Sequence, residues 1–314
     1  MIKKNFLYFK NLNLSNESIK LLKKKFNLIE VKNKLEAKNL KKKIKNIIEV
    51  IYCDPLYYYS KQFLKNFNNL KYLVSSTTGT DFINLDYCKK NNLKVLSLEN
   101  DQKFLSTITP TAEHVFGLIF LLTRNYILAL KSVNKGKFNR RPYGGYAMLS
   151  KMKIGIIGYG RLGKIVKKIA RGFSMKTVVC DIKSINFKKN LNKIILESDI
   201  ISLNIPSKGN RNFFSFKNFK SIKKPFFLIN TSRGEIIDER FIISLLKKKK
   251  LLGYGTDVLK NEFKEEFDLK KNIIFKNRLS YNIVITPHIG GSTIDAWKLT
   301  ENRVINNILK HYKF

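Results

Sequence analysis

Ten residues near the middle of the chain decide its fold: Ile154–Gly163, with the sequence IGIIGYGRLG. The apolar run that ends at Ile157 predicts a buried β-strand. The three glycines that follow predict a tight turn, which leads into a helix over residues 165–172. Strand, glycine-rich turn and helix in this order are typical of the first unit of a parallel α/β sheet.

Each glycine of this turn has its own role if the turn binds a dinucleotide. Gly158 permits the tight turn, Gly160 lets the backbone approach a pyrophosphate, and Gly163 allows the helix to pack closely on the strand. The phosphates would meet N–H groups at the start of the helix. Asp181 ends the next predicted strand, where its carboxylate can bind both ribose hydroxyls and repel a 2′-phosphate. The pattern therefore predicts NAD rather than NADP, a preference that the nearby Lys183 weakens.

Strands and helices alternate on both sides of this stretch. Before residue 100 the predicted strands are Phe6–Phe9, Leu28–Val31, Val50–Cys53, Tyr72–Ser75 and Val95–Leu98, and the helices are Glu17–Phe26, introduced by Ser15, and Leu35–Lys45. After residue 150 the predicted strands are Lys153–Ile157, Thr177–Cys180, Ile200–Asn204, Phe226–Ile229, Gly253–Thr256 and Ile283–Thr286. This alternation predicts parallel sheets with helices on both faces. We expect an α/β fold of two doubly wound domains, a flavodoxin-like substrate domain and a Rossmann NAD-binding domain, with a cleft between them.

The predicted substrate domain covers residues 1–103 and is completed by a C-terminal helix within 292–314, and the predicted NAD-binding domain covers residues 104–291. A long apolar helix opens at Pro110 and is expected to continue to Val133. Its apolar character on several faces predicts burial between domains or between subunits. This helix is one reason to expect a homodimer.

Composition limits the class of protein. Hydrophobic content of 44% and charged content of 27% fit a soluble globular chain. The formal net charge of +38 is typical of nucleic-acid binding. The lysines are nevertheless scattered among Asn, Ile and Phe along the whole chain, so we interpret the charge as compositional bias and predict no specific nucleic-acid partner.

Two further features bear on location and on metals. The longest apolar stretch, Val115–Leu130, is interrupted by polar residues and is shorter than the roughly 20 residues of a membrane span. No membrane segment is predicted. Cys53, Cys88 and Cys180 lack the spacing of a disulfide framework or a zinc site, so the sequence predicts no metal and favours a reducing cytoplasm.

Three separate motifs supply a cation, a carboxylate and an imidazole, each after a predicted strand. They are Arg233 in NTSRG at 230–234, Glu262 shortly after GTDV at 255–258, and His288 in TPHIGG at 286–291. Reduction of a 2-oxo acid needs all three groups. The planar Arg233 fork suits the substrate carboxylate, His288 can donate a proton to the new alkoxide, and Glu262 can hold the imidazole and favour its cationic form. Each residue alone is compatible with a structural role, but together with the cofactor motif they predict hydride transfer.

From about Leu70 to Gly291 the chain resembles the D-isomer-specific 2-hydroxyacid dehydrogenase family. An ordered series of segments carries the resemblance: residues 79–83, 109–124, 158–163 with Asp181, 198–203, 230–234, 255–258 and 286–291. The resemblance implies that Arg233 binds the substrate carboxylate, that Glu262 orients His288, and that His288 is the proton donor or acceptor. It also implies a homodimer.

The same resemblance implies further contacts. Those expected at the cofactor are Arg161 and Leu162 through their backbones at the pyrophosphate, Asp257 at the nicotinamide carboxamide, and Thr231 and Ser232 along the cofactor cleft. Those expected at the substrate carboxylate are backbone amides around Thr78, Gly79 and Thr80. The implied activity is NAD-dependent interconversion of a small D-2-hydroxy acid and its 2-oxo acid.

Several departures from the family pattern leave the substrate open. Phe263 follows Glu262 where the family usually has a proline, and Asn204 with Pro206 replaces a more common pair. The following segment, 207–210, looks one residue short. The runs at 76–80 and 110–114 look most like members of unassigned substrate. The alternative function is an NAD(H)-sensing, corepressor-like binding protein of the same fold, and a second alternative is nucleic-acid binding through the basic charge.

Overall fold

The chain forms two parallel β-sheets, as a computed structural model that describes residues Lys3–Tyr312 shows. The strands are β1 (Lys4–Phe9), β2 (Phe26–Val31), β3 (Ile48–Tyr52), β4 (Tyr72–Val74), β5 (Lys94–Leu96), β6 (Lys153–Ile157), β7 (Lys176–Cys180), β8 (Ile200–Leu203), β9 (Phe226–Asn230), β10 (Leu251–Thr256) and β11 (Ile283–Ile285). The helices are α1 (Asn16–Lys25), α2 (Lys34–Asn39), α3 (Lys42–Lys45), α4 (Lys61–Leu64), α5 (Leu85–Lys90), α6 (Gln102–Leu105), α7 (Pro110–Thr123), α8 (Tyr126–Val133), α9 (Arg161–Gly172), α10 (Phe187–Glu197), α11 (Phe216–Phe219), α12 (Glu239–Lys247), α13 (Ile273–Asn277) and α14 (Ile294–His311).

The described residues divide into two compact units. The first contains the chain up to Leu105, the short segment Phe263–Phe267 and the chain from Thr293 onward. The second contains Ser106–Glu262 and Asp268–Ser292. The chain thus leaves the second unit directly after Glu262, and Phe263 packs in the core of the first unit, where its ring centroid lies 6.0 Å from that of Phe82.

The first unit is built on a five-stranded sheet in the order β2-β1-β3-β4-β5. All neighbouring strands are parallel, and this is the flavodoxin-like order. The predicted fold of this part is confirmed. The predicted start of the first helix is also right, because the Ser15 hydroxyl caps α1 by accepting the N–H of Ser18 at 3.2 Å.

The second unit is built on a six-stranded parallel sheet in the order β11-β10-β9-β8-β6-β7. The chain runs from β6 outward to β7 and returns through α10 to β8 on the other side of β6. The sheet order therefore reverses at β6, and β7 lies at the edge among the described strands. The carboxyl ends of β6 and β8 flank this switch point, which is where ligands of such sheets bind.

Two predicted helices are each broken into two shorter ones. The helix expected at Leu35–Lys45 is broken into α2 and α3, because Leu40 and Lys41 are extended, with φ/ψ of −51/144° and −53/142°. The helix expected from Pro110 to Val133 is broken into α7 and α8, because Asn125 is left-handed with φ of 53°. Asparagine tolerates this region better than most residues.

Helix α7 accounts for the apolar composition of its segment. By length and composition Gln102–Thr123 could cross a membrane. Val115, Leu118, Ile119 and Leu122 are buried in one hydrophobic cluster with residues of the second sheet, and a core helix of a globular protein has the same composition. Helix α7 is therefore buried against the sheet of its own unit, rather than between domains or subunits as predicted, and α8 exposes most of its apolar side chains.

Candidate active site

The glycine turn joins β6 to α9 at the switch point of the second sheet. Gly158 has φ of 94°, and a Cβ there would lie 2.3 Å from the carbonyl oxygen of Asn204, at the end of the adjacent strand. A Cβ at Gly163 would lie 2.0 Å from the carbonyl oxygen of Gly158, so α9 packs directly on the turn. A Cβ at Gly160 would meet no heavy atom within 4 Å, so that space stays open. The turn has the shape that a pyrophosphate requires.

Helix α9 presents its N-terminus to this open space. Its N-cap is Gly160, which has no side chain to cap the helix, and the N-terminus of a helix is a site where anions bind. Leu162 packs its side chain against the core. The Arg161 side chain turns back, and its Nη1 donates to the carbonyl oxygen of Ile108 at 2.9 Å. Burial lowers the pKa of the Arg161 guanidinium.

Asp181 lies directly after β7, beside the glycine turn. Its Oδ2 accepts the N–H of Tyr159 at 3.0 Å, and its Oδ1 accepts the N–H of Lys183 at 2.8 Å. An ionised carboxylate has about four acceptor sites, so these two bonds leave capacity for ribose hydroxyls. The position fits the ribose contact expected of this residue.

Polar bonds fix the loop after β9 that carries Arg233. The Asn230 side chain accepts the N–H of Ser232 at 3.1 Å and donates to the carbonyl oxygen of Arg233 at 2.9 Å. The Ser232 hydroxyl donates to the carbonyl oxygen of Leu203, at the end of β8, at 2.8 Å. Thr231 and Ser232 are buried, and Arg233 Nη1 donates to the carbonyl oxygen of Ser232 at 2.7 Å. The backbone at Arg233 is therefore held in place by hydrogen bonds.

Gly234 brings this loop against the loop that leads to Glu262. A Cβ at Gly234 would lie 2.1 Å from the carbonyl carbon of Leu259 and 2.2 Å from the backbone nitrogen of Lys260. No side chain fits there, so the Arg-Gly pair is a packing requirement. The close approach places the arginine loop and the glutamate loop side by side.

Glu262 and His288 form a direct pair within the second unit. His288 Nδ1 lies 2.9 Å from Glu262 Oε1, and Glu262 Oε2 accepts the N–H of Leu259 at 3.1 Å. The Glu262 side chain is 15% exposed and the His288 side chain is 38% exposed. The carboxylate is thus positioned by its own loop and orients an imidazole that solvent or a ligand can reach.

The backbone of His288 is left-handed, with φ of 55°, and Asp257 holds it there. The carbonyl oxygen of Asp257 accepts the N–H of His288 at 2.9 Å. Its carboxylate accepts the N–H of Ile289 at 2.9 Å and that of Gly290 at 2.7 Å. The buried Asp257 therefore anchors the loop on which the imidazole sits.

Our sequence reasoning missed two other partners of Asp257, which are His114 on α7 and Thr286 after β11. The Thr286 hydroxyl donates to Asp257 Oδ1 at 2.6 Å, and His114 Nε2 lies 2.9 Å from Thr286 Oγ1. Burial alone would raise the pKa of Asp257. The neighbouring His114 imidazole, the Thr286 hydroxyl and the N–H groups of the loop outweigh burial and lower that pKa below its ordinary value.

The remaining predicted residues lie in the first unit. Thr78, Gly79 and Thr80 belong to the turn after β4, where the Thr77 hydroxyl donates to the carbonyl oxygen of Gly79 at 2.7 Å. Among residues 3–312, no group of three or more His, Cys, Asp and Glu side chains is arranged to hold a metal ion.

A parallel sheet with a glycine turn at its switch point, an aspartate after the strand that follows the turn, and a carboxylate–imidazole pair in the same unit defines a dinucleotide-dependent oxidoreductase. The chain belongs to the D-isomer-specific 2-hydroxyacid dehydrogenase family, because the model of that family's NAD-binding domain matches residues 116–290. The predicted family and the predicted cofactor, NAD, are confirmed by this match.

Curated proteins with similar sequences include a glycerate dehydrogenase and a hydroxypyruvate reductase. The chain is 29% identical to the glycerate dehydrogenase of Methylorubrum extorquens over 78% of its own length and 77% of that protein. It is 26% identical to the hydroxypyruvate reductase of Thermotoga maritima over 95% of each chain. A crystal structure of the D-lactate dehydrogenase of Aquifex aeolicus with NAD and lactic acid is similar in fold, with a TM-score of 0.79, 23% identity, and coverage of 98% of this chain and 96% of that one.

Proposed function

We propose that this protein interconverts a small D-2-hydroxy acid and its 2-oxo acid by hydride transfer with NAD. The observation that carries the proposal is the 2.9 Å contact between His288 Nδ1 and Glu262 Oε1 in the unit that also holds the glycine turn. A pure NAD(H) sensor has no need of a glutamate-oriented histidine together with Arg233, although such a protein can retain them.

Arg233 binds the substrate carboxylate in this proposal. Its planar guanidinium matches the two oxygens of a carboxylate. The hydrogen-bonded loop around Asn230 fixes the backbone from which the Arg233 side chain extends. The substrate is therefore held by a group that does not change during the reaction.

His288 handles the proton. NAD would supply the hydride that reduces C2 of the 2-oxo acid, and the carbonyl oxygen would then need a proton. His288 donates a proton to that oxygen from Nε2, because Nδ1 is paired with Glu262. Glu262 stabilises the imidazolium, and the same pair accepts the proton in the reverse direction. A positioned acid of this kind contributes about 10²- to 10⁴-fold to the rate.

The cofactor contacts follow from the glycine turn. Gly158, Gly160 and Gly163 form the cradle, the backbone N–H groups of Arg161 and Leu162 bind the pyrophosphate, and Asp181 binds the adenosine ribose. Thr231, Ser232 and Asp257 lie on the nicotinamide side. Oδ1 of Asp257 already accepts Thr286 and Ile289, and Oδ2 accepts Gly290, so at most one further acceptor site, on Oδ2, is left for the carboxamide.

A substrate panel tests the function. NADH oxidation is followed with glyoxylate, pyruvate, hydroxypyruvate and bulkier 2-oxo acids, and we expect turnover with at least one small acid. Arg233→Lys should raise KM and lower kcat together, since a point charge replaces a fork. The matched control is Arg240→Lys on α12, an exposed arginine. NADH binding without turnover of any 2-oxo acid would favour the sensor instead.

We also propose that the protein is a cytoplasmic homodimer. Helix α8 and the loop after it expose large apolar side chains, among them Leu130 at 62% and Phe138 at 98%. This segment is folded back on itself, because the N–H of Lys137 donates to the carbonyl oxygen of Ser132 at 3.0 Å. Apolar side chains exposed along one element are typical of a subunit interface.

Light scattering coupled to size-exclusion chromatography tests the dimer. The wild type should elute at twice the chain mass, and Leu130→Glu should shift it toward one chain mass. Ile185→Glu is the control, since Ile185 is fully exposed on the loop after β7, outside this segment. A wild-type monomer at micromolar concentration would contradict the proposal.

A further inference from the structure

His114 lies in the first turns of α7 and points toward the loop that carries His288. Its Nε2 is 2.9 Å from Thr286 Oγ1 and 3.5 Å from Asp257 Oδ1, and its side chain is 19% exposed. Neither the family match nor the predicted catalytic set assigns it a role. It is one of only three histidines in the chain, the others being His288 and His311.

The direction of the hydrogen bonds follows from counting protons. The Thr286 hydroxyl lies 2.6 Å from Asp257 Oδ1, and an ionised carboxylate can only accept, so Thr286 donates its single proton there. Thr286 Oγ1 must then accept from His114. The imidazole of His114 therefore carries a proton on Nε2, and a chain of donors runs from α7 through Thr286 to Asp257.

This chain ends on the residue that holds the catalytic loop. Asp257 accepts the N–H groups of Ile289 and Gly290 through its carboxylate and that of His288 through its carbonyl oxygen. His288 needs this support because its left-handed backbone, with φ of 55°, is disfavoured for a residue with a Cβ. Each bond in such a chain polarises the next, so the loss of the first donor weakens the others.

We propose that His114 is a positioning residue for proton transfer, acting through Thr286 and Asp257 on the loop of His288. The inference rests on the proposed function of His288. Helix α7 is packed in the core of the second unit, so His114 connects the exposed loop of His288 to a buried helix. It touches neither substrate nor reacting atoms in this proposal.

Two substitutions at position 114 separate the effect of the N–H donor from the effect of the ring. His114→Phe keeps a flat ring and removes the donor, whereas His114→Gln places an amide N–H near the same position. We expect kcat to fall by about 10- to 10²-fold in the phenylalanine variant, as for a displacement of roughly 1 Å at a catalytic group. The glutamine variant should recover most of the loss. The matched control is His311→Gln at the exposed end of α14.

The solvent isotope effect on kcat distinguishes positioning from simple stability. If His114→Phe misplaces His288, proton transfer becomes slower relative to hydride transfer and the solvent isotope effect rises, while KM for the 2-oxo acid and NADH affinity change little. A purely structural role lowers the melting temperature and the active fraction, with the isotope effect unchanged. Should the phenylalanine variant fail to fold, Thr286→Val breaks the same chain, and Thr286→Ser should restore it.

Histidine ¹⁵N spectra of the full chain supply a readout that does not depend on turnover. With three histidines, single substitutions assign every signal, and His114 should show the proton on Nε2. A proton on Nδ1 alone, or full kcat with an unchanged isotope effect in both His114→Phe and Thr286→Val, would overturn the inference. If the spectra are as expected but no 2-oxo acid is turned over, the proposed function fails and the hydrogen-bond chain stands as structure only.

Discussion

Asp54 and Asp257 are both buried and both lie after a strand of their own unit's sheet, but they have opposite surroundings. Asp54 follows β3 of the first sheet and Asp257 follows β10 of the second, and their exposed fractions are 3% and 2%. The Asp257 carboxylate accepts three donors, from Thr286, Ile289 and Gly290, and His114 Nε2 lies 3.5 Å from its Oδ1. The Asp54 carboxylate accepts only the N–H of Leu56, and its Oδ2 has no hydrogen-bond partner among residues 3–312.

The difference shows that burial alone does not identify a carboxylate that has a role in the candidate active site. Burial raises the pKa of Asp54, and the single bond from Leu56 offsets this only in part. At Asp257 the hydrogen bonds reverse the effect of burial, and the pKa is lowered. The donors of Asp257 belong to the loop of His288, so the ionised carboxylate of Asp257 stabilises the candidate active site. The ionised carboxylate of Asp54 stabilises no such loop.

Among substitutions of these aspartates, the largest expected effect is on turnover. Asp257→Asn places an amide where acceptors for Ile289 and Gly290 are needed, so the loop should relax and kcat should fall by about 10²-fold. Asp54→Asn is the matched substitution and should keep kcat near that of the wild type. Steady-state NADH oxidation with the preferred 2-oxo acid measures both. Equal turnover of the two variants would erase the distinction between the two aspartates.

A third strand-end aspartate, Asp181, lies between these extremes with two backbone donors. Asp181→Ala should weaken NADH binding by about 10-fold, as expected for one lost bond to a charged group. It should also reduce the preference for NADH over NADPH. Fluorescence titration with both cofactors measures this, and an unchanged ratio of their affinities would count against the ribose contact.

The smallest expected effect is a gain in stability from Asp54→Asn. Removing a buried, poorly paired charge should stabilise the fold at neutral pH by about 1 kcal/mol. For a domain of this size that corresponds to a melting temperature roughly 2–4 °C higher. A lower melting temperature than that of the wild type would show that the charge is used after all.

The dependence on pH should have opposite sign at the two aspartates. The pKa of Asp54 in the folded protein lies above 3.8, so folding favours the protonated carboxyl. Ionisation of Asp54 therefore destabilises the fold increasingly as the pH rises from 3.8 through the folded pKa. The gain from Asp54→Asn should therefore shrink on acidification. The folded pKa of Asp257 lies below 3.8, so its contribution is present above 3.8 and is lost as the pH falls through the folded value. Melting curves of both variants against the wild type, over the acidic range, measure this.

The two sheets and the Glu262–His288 pair could be predicted from the sequence because both depend on local signals. Apolar runs bounded by turn residues located β6 and β9, and strand ends placed Glu262 and His288 on one edge. It missed the break at Asn125, since one residue in a left-handed conformation leaves the apolar pattern intact. It also missed the His114–Thr286 contact, because those residues are 172 positions apart and only the fold of the second unit brings them together.

The order of strands in the second sheet could be predicted from the sequence only in part, for the same reason. Six strands in series predicted a dinucleotide-binding sheet, but the position of β7 at its edge depends on which side of β6 the chain returns to. The unpartnered oxygen of Asp54 likewise has no signature in the sequence, since nothing local to CDPLY at 53–57 differs from an ordinary turn.

The central claim is that His288, oriented by Glu262, transfers the proton in a 2-oxo acid reduction. The most direct test is the kcat of His288→Gln with saturating NADH, beside His311→Gln as the control. We predict a loss of about 10²- to 10⁴-fold in His288→Gln alone, with NADH affinity unchanged in both variants. Turnover of His288→Gln equal to that of the wild type across the pH range would contradict the account.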